Sequence, residues 1–330
     1  MNGTQYIGII GWNSQTKQLA NMLHRRLRHT EVLAVATNHE DGQKYARETL
    51  GLKHVYQNPE QLYELHQLTV ICICSSAELH LDEIASALRS GTNVLVEQPL
   101  AANVSDCIAI EKLARSYPNQ KVLLALPRRF DRQLIELQKK IEEGSLGHIV
   151  SVSVESYERY DTEKYSGAYP VSKGIFMDIT LEDIDMVRWL TGAEFTSVYA
   201  AASSIMYPSL TKHGDADTAH VTAQTDMGFG VSFVSSRVGH QRDGYSLKVV
   251  GTKGEFYYDT RKGQIAVSKA IVPHVVAERP EYEAMVRDYT NRVVQGGRLS
   301  YGVEVGTKAT EVAVAMTKSY VLQEVITLDK

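Results

Sequence analysis

Little in this chain serves covalent or membrane-bound stability. Cysteine is scarce, with Cys72, Cys74 and Cys107 making an odd total of three, so no disulfide framework and no metal-ligand spacing is drawn. Buried thiols in a reducing compartment are the expected state. No apolar run approaches the roughly 18 residues that a membrane helix needs. No basic region leads into an apolar core at the N-terminus, and a cytoplasmic location is expected. Excess positive charge is missing as well: 35 Lys and Arg face 39 Asp and Glu, a net charge of -4. That balance argues against nucleic acid as a partner. The basic cluster His24-Arg25-Arg26-Leu27-Arg28-His29 falls at the end of an expected helix, where cations suit the dipole.

What remains is ordinary globular material, 43% hydrophobic and 22% charged over 330 residues, enough for a sizeable core and two domains. Strand-like runs at 6–10, 31–36, 70–74, 94–96 and 122–125 alternate with helical periodicity at 15–28, 40–50, 78–89 and 105–116. That alternation predicts βαβ units on a doubly wound parallel sheet. After Pro127 the period changes. A linking helix is expected over 132–143, a half-exposed strand over 149–157 and an amphipathic helix over 176–190. Strands of antiparallel character follow at 197–202, 218–226, 231–238, 246–250 and 255–258, then helices at 280–294 and 303–322. The expected fold is therefore α/β, a parallel-sheet domain over 1–126 and an α+β domain over 127–330 with a large, mostly antiparallel open sheet.

The first strand ends at Gly11, and a helix follows. That is the setting for a dinucleotide pyrophosphate at a helix N-terminus. A full fingerprint would read G-x-G-x-x-G, whereas the chain reads Gly11-Trp12-Asn13-Ser14-Gln15-Thr16. Asn13 tolerates positive φ better than most residues, but its side chain stands where backbone should meet phosphate. Trp12 would shield or block that phosphate. The second strand ends in Ala36-Thr37-Asn38-His39 without the acid that grips an NAD ribose. Thr37 and Asn38 therefore lean toward NADP over NAD, unless they are simply turn residues. Ser75 and Ser76 follow the third strand and could contact ribose or pyrophosphate, or cap the next helix. His80 lies one helical turn on. Val94-Leu95-Val96 is a buried strand closed by Glu97, Gln98 and Pro99, and chemistry in such sheets sits past the carboxyl ends of the strands.

In the second half Asp178, Glu182 and Asp185 fall at i, i+4 and i+7, one helix face. Facing a cleft, they would repel one another and raise at least one pKa. The plainer reading is a solvated acidic face. Arg128 and Arg129 follow the last strand of the first half and could hold a substrate hydroxyl, with a structural role the plainer one. His213 and His240 lie in or near loops, and Trp189 on a helix face is expected in the core.

The run Val94 to Pro99 resembles the strand-then-Glu-Lys-Pro signature of the Gfo/Idh/MocA sugar and polyol dehydrogenases. Gly174 through Asp185 resembles the same family's Gly-Gly followed by Asp-x-x-x-His-x-x-Asp. Further matches run through Pro127-Arg128-Arg129-Phe130-Asp131, Gly214-Asp215-Ala216-Asp217-Thr218 and Val250-Gly251-Thr252-Lys253-Gly254. The resemblance covers nearly the whole chain. It implies a Rossmann-like nucleotide domain, NAD or NADP as cofactor, an inositol-like polyol or sugar as substrate, and a homodimer or homotetramer. Carried over residue by residue, it puts Gln98 where the family has its catalytic lysine and Glu182 where it has its proton-relaying histidine. Asp178 and Asp185 match the two aspartates, and Lys173 occupies a usual glycine position.

An amide cannot take a hydroxyl proton, and losing both lysine and histidine should cost about 100-fold or more. Three expectations follow. The first is an active oxidoreductase whose base is Glu182, Asp178 or Lys173, with Arg129, Tyr165 and Asp185 at the substrate and Tyr165 or Tyr169 as proton donor in reduction. The second is a relative without turnover that binds nucleotide or sugar as a sensor. The third is a carboxylate-held Mg²⁺, Mn²⁺ or Ca²⁺, which one helix face rarely completes, so no metal ligand is assigned.

Overall fold

The computed structural model describes residues 4–25, 27, 29–159, 173–238, 243–262, 264–267, 270–273 and 280–328. Two compact units result, one of Met1–Leu126 with Glu283–Thr307, the other of Pro127–Tyr282 with Lys308–Lys330.

In the first unit β1 (Gln5–Ile10), β2 (Thr30–Ala36), β3 (His54–Tyr56), β4 (Val70–Ile73), β5 (Asn93–Val96) and β6 (Val122–Leu124) form one sheet in the order β3-β2-β1-β4-β5-β6. All neighbours run parallel, with Ile9 opposite Cys72 and Val94 opposite Val122. Apolar runs such as Val70–Ile73 are buried throughout, because helices cover both faces of such a sheet. Those helices are α1 (Ser14–Arg25), α2 (Glu40–Glu48), α3 (Glu60–Tyr63), α4 (His80–Arg89) and α5 (Val104–Ser116). The strand order reverses between β1 and β4, so ligands are expected past their carboxyl ends. All three cysteines are free and buried.

The second unit opens with a 3-10 turn, Pro127–Phe130, and α6 (Arg132–Glu142), whose N-cap Asp131 accepts from Gln133 N at 2.7 Å. Nine strands then form one sheet: β7 (Ile149–Tyr157), β8 (Phe195–Ser203), β9 (Thr218–Thr225), β10 (Gly230–Ser236), β11 (Gly244–Gly251), β12 (Glu255–Asp259), β13 (Gln264–Val267), β14 (Ala270–Pro273) and β15 (Ile326–Thr327). Pairing is antiparallel except between β7 and β10, which run parallel. Period-two burial matches the alternation read from the sequence. Val152, Val154, Val221, Phe233 and Leu247 turn inward onto α6, α7 (Leu181–Thr191) and the later part of α9 (Glu304–Leu322). Tyr199 stays exposed on the other face.

The structure departs from expectation in three places. β3 and α3 are present, and so are β13, β14 and β15. The helix expected over 176–190 begins with a π-helical turn, Phe176–Thr180, before α7. Between Pro280 and Gln295 lies α8, most of which belongs to the first unit, where Tyr289 donates to Lys121 O at 3.1 Å. Among the described residues no helix is long and apolar enough to cross a membrane.

Candidate functional site

In the first unit the turn after β1 needs its glycine. Gly11 has φ +88°, and a Cβ there would lie 2.5 Å from the Cys74 carbonyl oxygen, so only glycine fits. Asn13 does not use the left-handed region, which among described non-glycine residues holds only His29, Lys173 and Gln323. Its Oδ1 instead accepts from Thr16 N at 2.8 Å and from Thr16 Oγ1 at 3.0 Å. Asn13 is therefore the N-cap of α1, and the two residues that replace fingerprint glycines bind each other. Trp12 does not lie across the turn. Its indole rests on α2, where a Cβ on Gly42 would come within 2.5 Å of the ring, and it lies 5.5 Å from the Tyr45 ring. The side chain of Ser14 lies outside the described residues.

At the end of β2, Thr37 is buried and its Oγ1 accepts from His39 N at 3.1 Å, while its carbonyl accepts from Gln43 Nε2 at 2.8 Å. Thr37 is thus occupied as a turn residue, and Asn38 stays exposed. Neither serine after β4 caps α4, whose N-cap is Leu79. Ser75 donates to Glu83, and Ser76 donates to Glu78 at 2.8 Å. Burial pushes the Glu83 carboxyl up to about 7, with the Ser75 hydrogen bond opposing and Asp82 adding to the rise. His80 is buried between loops. Its Nδ1 lies 3.0 Å from Pro99 O and 3.2 Å from Leu100 O, and its Nε2 lies 3.2 Å from Ser75 O. Burial holds its pKa below the usual imidazole value, and its place between carbonyls makes it a brace. Glu97 and Gln98 are half-buried past β5, before a cis bond to Pro99. The Glu97 charge adds to burial in raising the Cys72 and Cys74 thiols.

In the second unit the backbone ahead of the carboxylates turns left-handed twice, at Lys173 (φ +55°) and Gly174 (φ +86°). A lysine thus holds a conformation that glycine adopts without strain. Asp215 pins the turn that follows, its Oδ1 accepting from Ile175 N at 2.8 Å and Ala216 N at 2.7 Å. The acidic row is not a solvated face, because each of its members is paired with an arginine from elsewhere in the unit. Arg237, 1% exposed, binds Asp178 at 3.2 Å and Asp215 at 2.5 Å. Arg128 Nε meets Glu182 Oε2 at 3.1 Å, and its Nη1 meets Asp183. Arg129 grips Asp185 through both oxygens, at 2.8 and 2.7 Å. That fork makes Arg129 and Asp185 a bidentate ion pair. Trp189 is only partly buried, with the Arg129 guanidinium 5.8 Å from its ring.

Asp183, with 0% exposure, was not anticipated. Burial raises its pKa against the opposing pull of Arg128 and a 2.8 Å hydrogen bond from Ser156 Oγ. Glu182 differs. Its side chain is 24% exposed, yet Oε1 is buried with no hydrogen-bond partner among the described residues. Tyr165, Tyr169 and His240 lie outside the described residues. His213 ends an exposed 3-10 turn, Pro208–His213. Among the described residues no group of three or more His, Cys, Asp or Glu is arranged to hold a metal ion. Arg237, Glu83 and Asp183 went unremarked in the sequence because nothing local marks them. A buried arginine could have been suspected only from the surplus of acids around 178–185.

Two family models match this chain. Residues 6–124 match the oxidoreductase family, NAD-binding Rossmann fold, and residues 134–257 match the GFO/IDH/MocA C-terminal domain. Among curated relatives, a myo-inositol 2-dehydrogenase of Thermotoga maritima is 29% identical over 231 residues, 68% of this chain and 67% of that one. A scyllo-inositol 2-dehydrogenase (NAD(+)) of Bacillus subtilis is 25% identical over 292 residues, 84% of this chain and 82% of that one. In three dimensions a scyllo-inositol dehydrogenase from Lactobacillus casei, solved with bound NAD(H) and scyllo-inositol, superposes with a TM-score of 0.86 at 21% identity, covering 98% of this chain and 99% of that one. With both units matched in sequence and the fold reproduced from end to end, the chain belongs to the Gfo/Idh/MocA oxidoreductase family.

Proposed function

We propose that this protein is an NAD(P)-dependent oxidoreductase that oxidises a secondary hydroxyl of a polyol or sugar of the inositol type, with Glu182 taking the hydroxyl proton. One observation carries this reading. Glu182 stands at the position of the family histidine with Oε2 fixed by Arg128 and Oε1 buried and unsatisfied. A buried acceptor without a donor costs about 1–3 kcal/mol, and a ligand hydroxyl would relieve that cost.

The first unit's residues fit a dinucleotide at Gly11, where backbone contact excludes any Cβ, and at the start of α1, whose dipole favours phosphate. The Asn13 cap withdraws one backbone donor, Thr16 N, from that task. Gly11, Ser76 and Asn38 would hold the cofactor, which when bound supplies the acceptor for the hydride leaving the carbinol carbon. Gln98 lends an amide that orients a hydroxyl without exchanging its proton. Without a carboxylate at the end of β2, NADP is favoured over NAD. A homodimer or homotetramer through the exposed face of the nine-stranded sheet accompanies this reading.

The test is steady-state reduction of NAD⁺ and NADP⁺ with a panel of inositols and sugars. Turnover that falls about 100-fold or more in Glu182→Gln supports the assignment; an unchanged rate in that variant removes it. A second reading, a sensor that binds without turnover, is favoured by Gln98 alone, since an amide stands where the family has a lysine. Polyol binding in the absence of any cofactor reduction would select it.

A further inference from the structure

Arg128 binds two carboxylates that are neighbours in sequence and unlike in surroundings. Adjacent helical residues point in different directions, and here Asp183 is fully buried while Glu182 stays at the rim. One guanidinium spans both, Nη1 on Asp183 and Nε on Glu182 Oε2. Its plane is supported from below, with Cζ 4.0 Å from the centroid of the Tyr245 ring, a cation–π contact. Ser156 Oγ also donates to Asp183 Oδ1 at 2.8 Å, while Oδ2 of that carboxylate is buried with no hydrogen-bond partner among the described residues. Simple neutralisation of a buried aspartate would need neither the second carboxylate nor the ring. The arrangement fixes one oxygen of Glu182 and leaves the other buried with no hydrogen-bond partner among the described residues.

We propose that Arg128 is a positioning residue: its fork, seated on Tyr245 and anchored by Asp183, holds the Glu182 carboxylate so that Oε1 accepts from a polyol hydroxyl. This rests on the reading of Glu182 given above. Lysine cannot replace this function. An ammonium is a point charge without the planar fork, so it serves one carboxylate and leaves the other loose.

The experiment compares wild type with Arg128→Lys and with Tyr245→Leu, which leaves both charge pairs in place and removes only the ring. Each protein is measured for kcat and KM with the best polyol, for polyol binding by calorimetry, for NAD(P)H affinity and for melting temperature. The expected result is a kcat lower by about 10- to 100-fold in both variants, with NAD(P)H affinity unchanged. If Arg128→Lys does not fold, Tyr245→Leu carries the comparison alone. Should wild type turn over and the folded variants keep its kcat, the positioning role is overturned and the oxidoreductase reading stands. Should wild type bind polyol without turnover and the variants bind it more weakly, the oxidoreductase reading falls and the positioning role stands. A wild type that neither turns over nor binds any polyol overturns both.

Discussion

Gly11 shows how narrow the tolerance of a single position is here. Its left-handed φ and the 2.5 Å approach of a built Cβ to the Cys74 carbonyl are both backbone constraints. Gly11→Ala should therefore cost at least about 1 kcal/mol and abolish NAD(P)H binding, read by thermal melts and fluorescence titration. Glu83 predicts a pH dependence of opposite sign to that of a paired surface acid. Its carboxyl, ordinarily near 4.5, is raised to about 7 by burial, so the folded state favours the protonated form. The contribution is complete below about 4.5, declines as pH rises, and is gone above about 7. Glu83→Gln should then match wild type in acid and exceed it at pH 8 by up to about 3 kcal/mol, with urea titrations at both pH values as the measurement. These residue-level features were the least legible part of the chain. The acids at 178–185 were plain to see, but their partners lie far off, Arg128 55 residues from Asp183 and Arg237 59 from Asp178. No spacing rule reaches that far.

Elements were legible wherever apolar periodicity was long. The strand at 149–157 coincides with β7, and the helix at 132–143 differs from α6 by one residue. Short edge elements escaped: His54–Tyr56 is three half-buried residues, and Ile326–Thr327 is only two. The start of α1 was read as a damaged phosphate turn, whereas locally it is a well-made helix cap. Asn13→Ala should cost about 1 kcal/mol of stability, while Asn13→Gly should cost only a few tenths. The glycine variant also removes the side chain from the turn, so NAD(P)H should bind it more tightly than wild type. Equal affinities for NAD(P)H would show that the cap does not limit nucleotide binding. Deeper in the second unit, Arg237→Met would remove the buried cation that binds Asp215 and Asp178 and loosen the turn at Ile175. A loss of about 3–5 kcal/mol in denaturant unfolding is expected.

At the scale of the whole molecule, the sequence carried the long-range order well, a βαβ alternation followed by mostly antiparallel strands with a change of period at Pro127, while the family assignment rests on the two matching family models. The return of residues 283–307 to the first unit was not legible, because α8 has the periodicity of any amphipathic helix. Its buried Met285 and Tyr289 lie in that unit, and Tyr301 donates to Leu124 O at 2.9 Å. A fragment of residues 1–126 should therefore fail to unfold cooperatively, whereas adding residues 283–307 as a separate peptide should restore a melting transition.

That return has a consequence for synthesis. A ribosome that has released residue 126 must still deliver residues up to 307 before the unit can close. At roughly 5–20 residues per second, the wait is about 10–40 s. Throughout it the β6 side of the parallel sheet stays bare on the nascent chain, so the first half of this protein to emerge waits for most of the second before it can close.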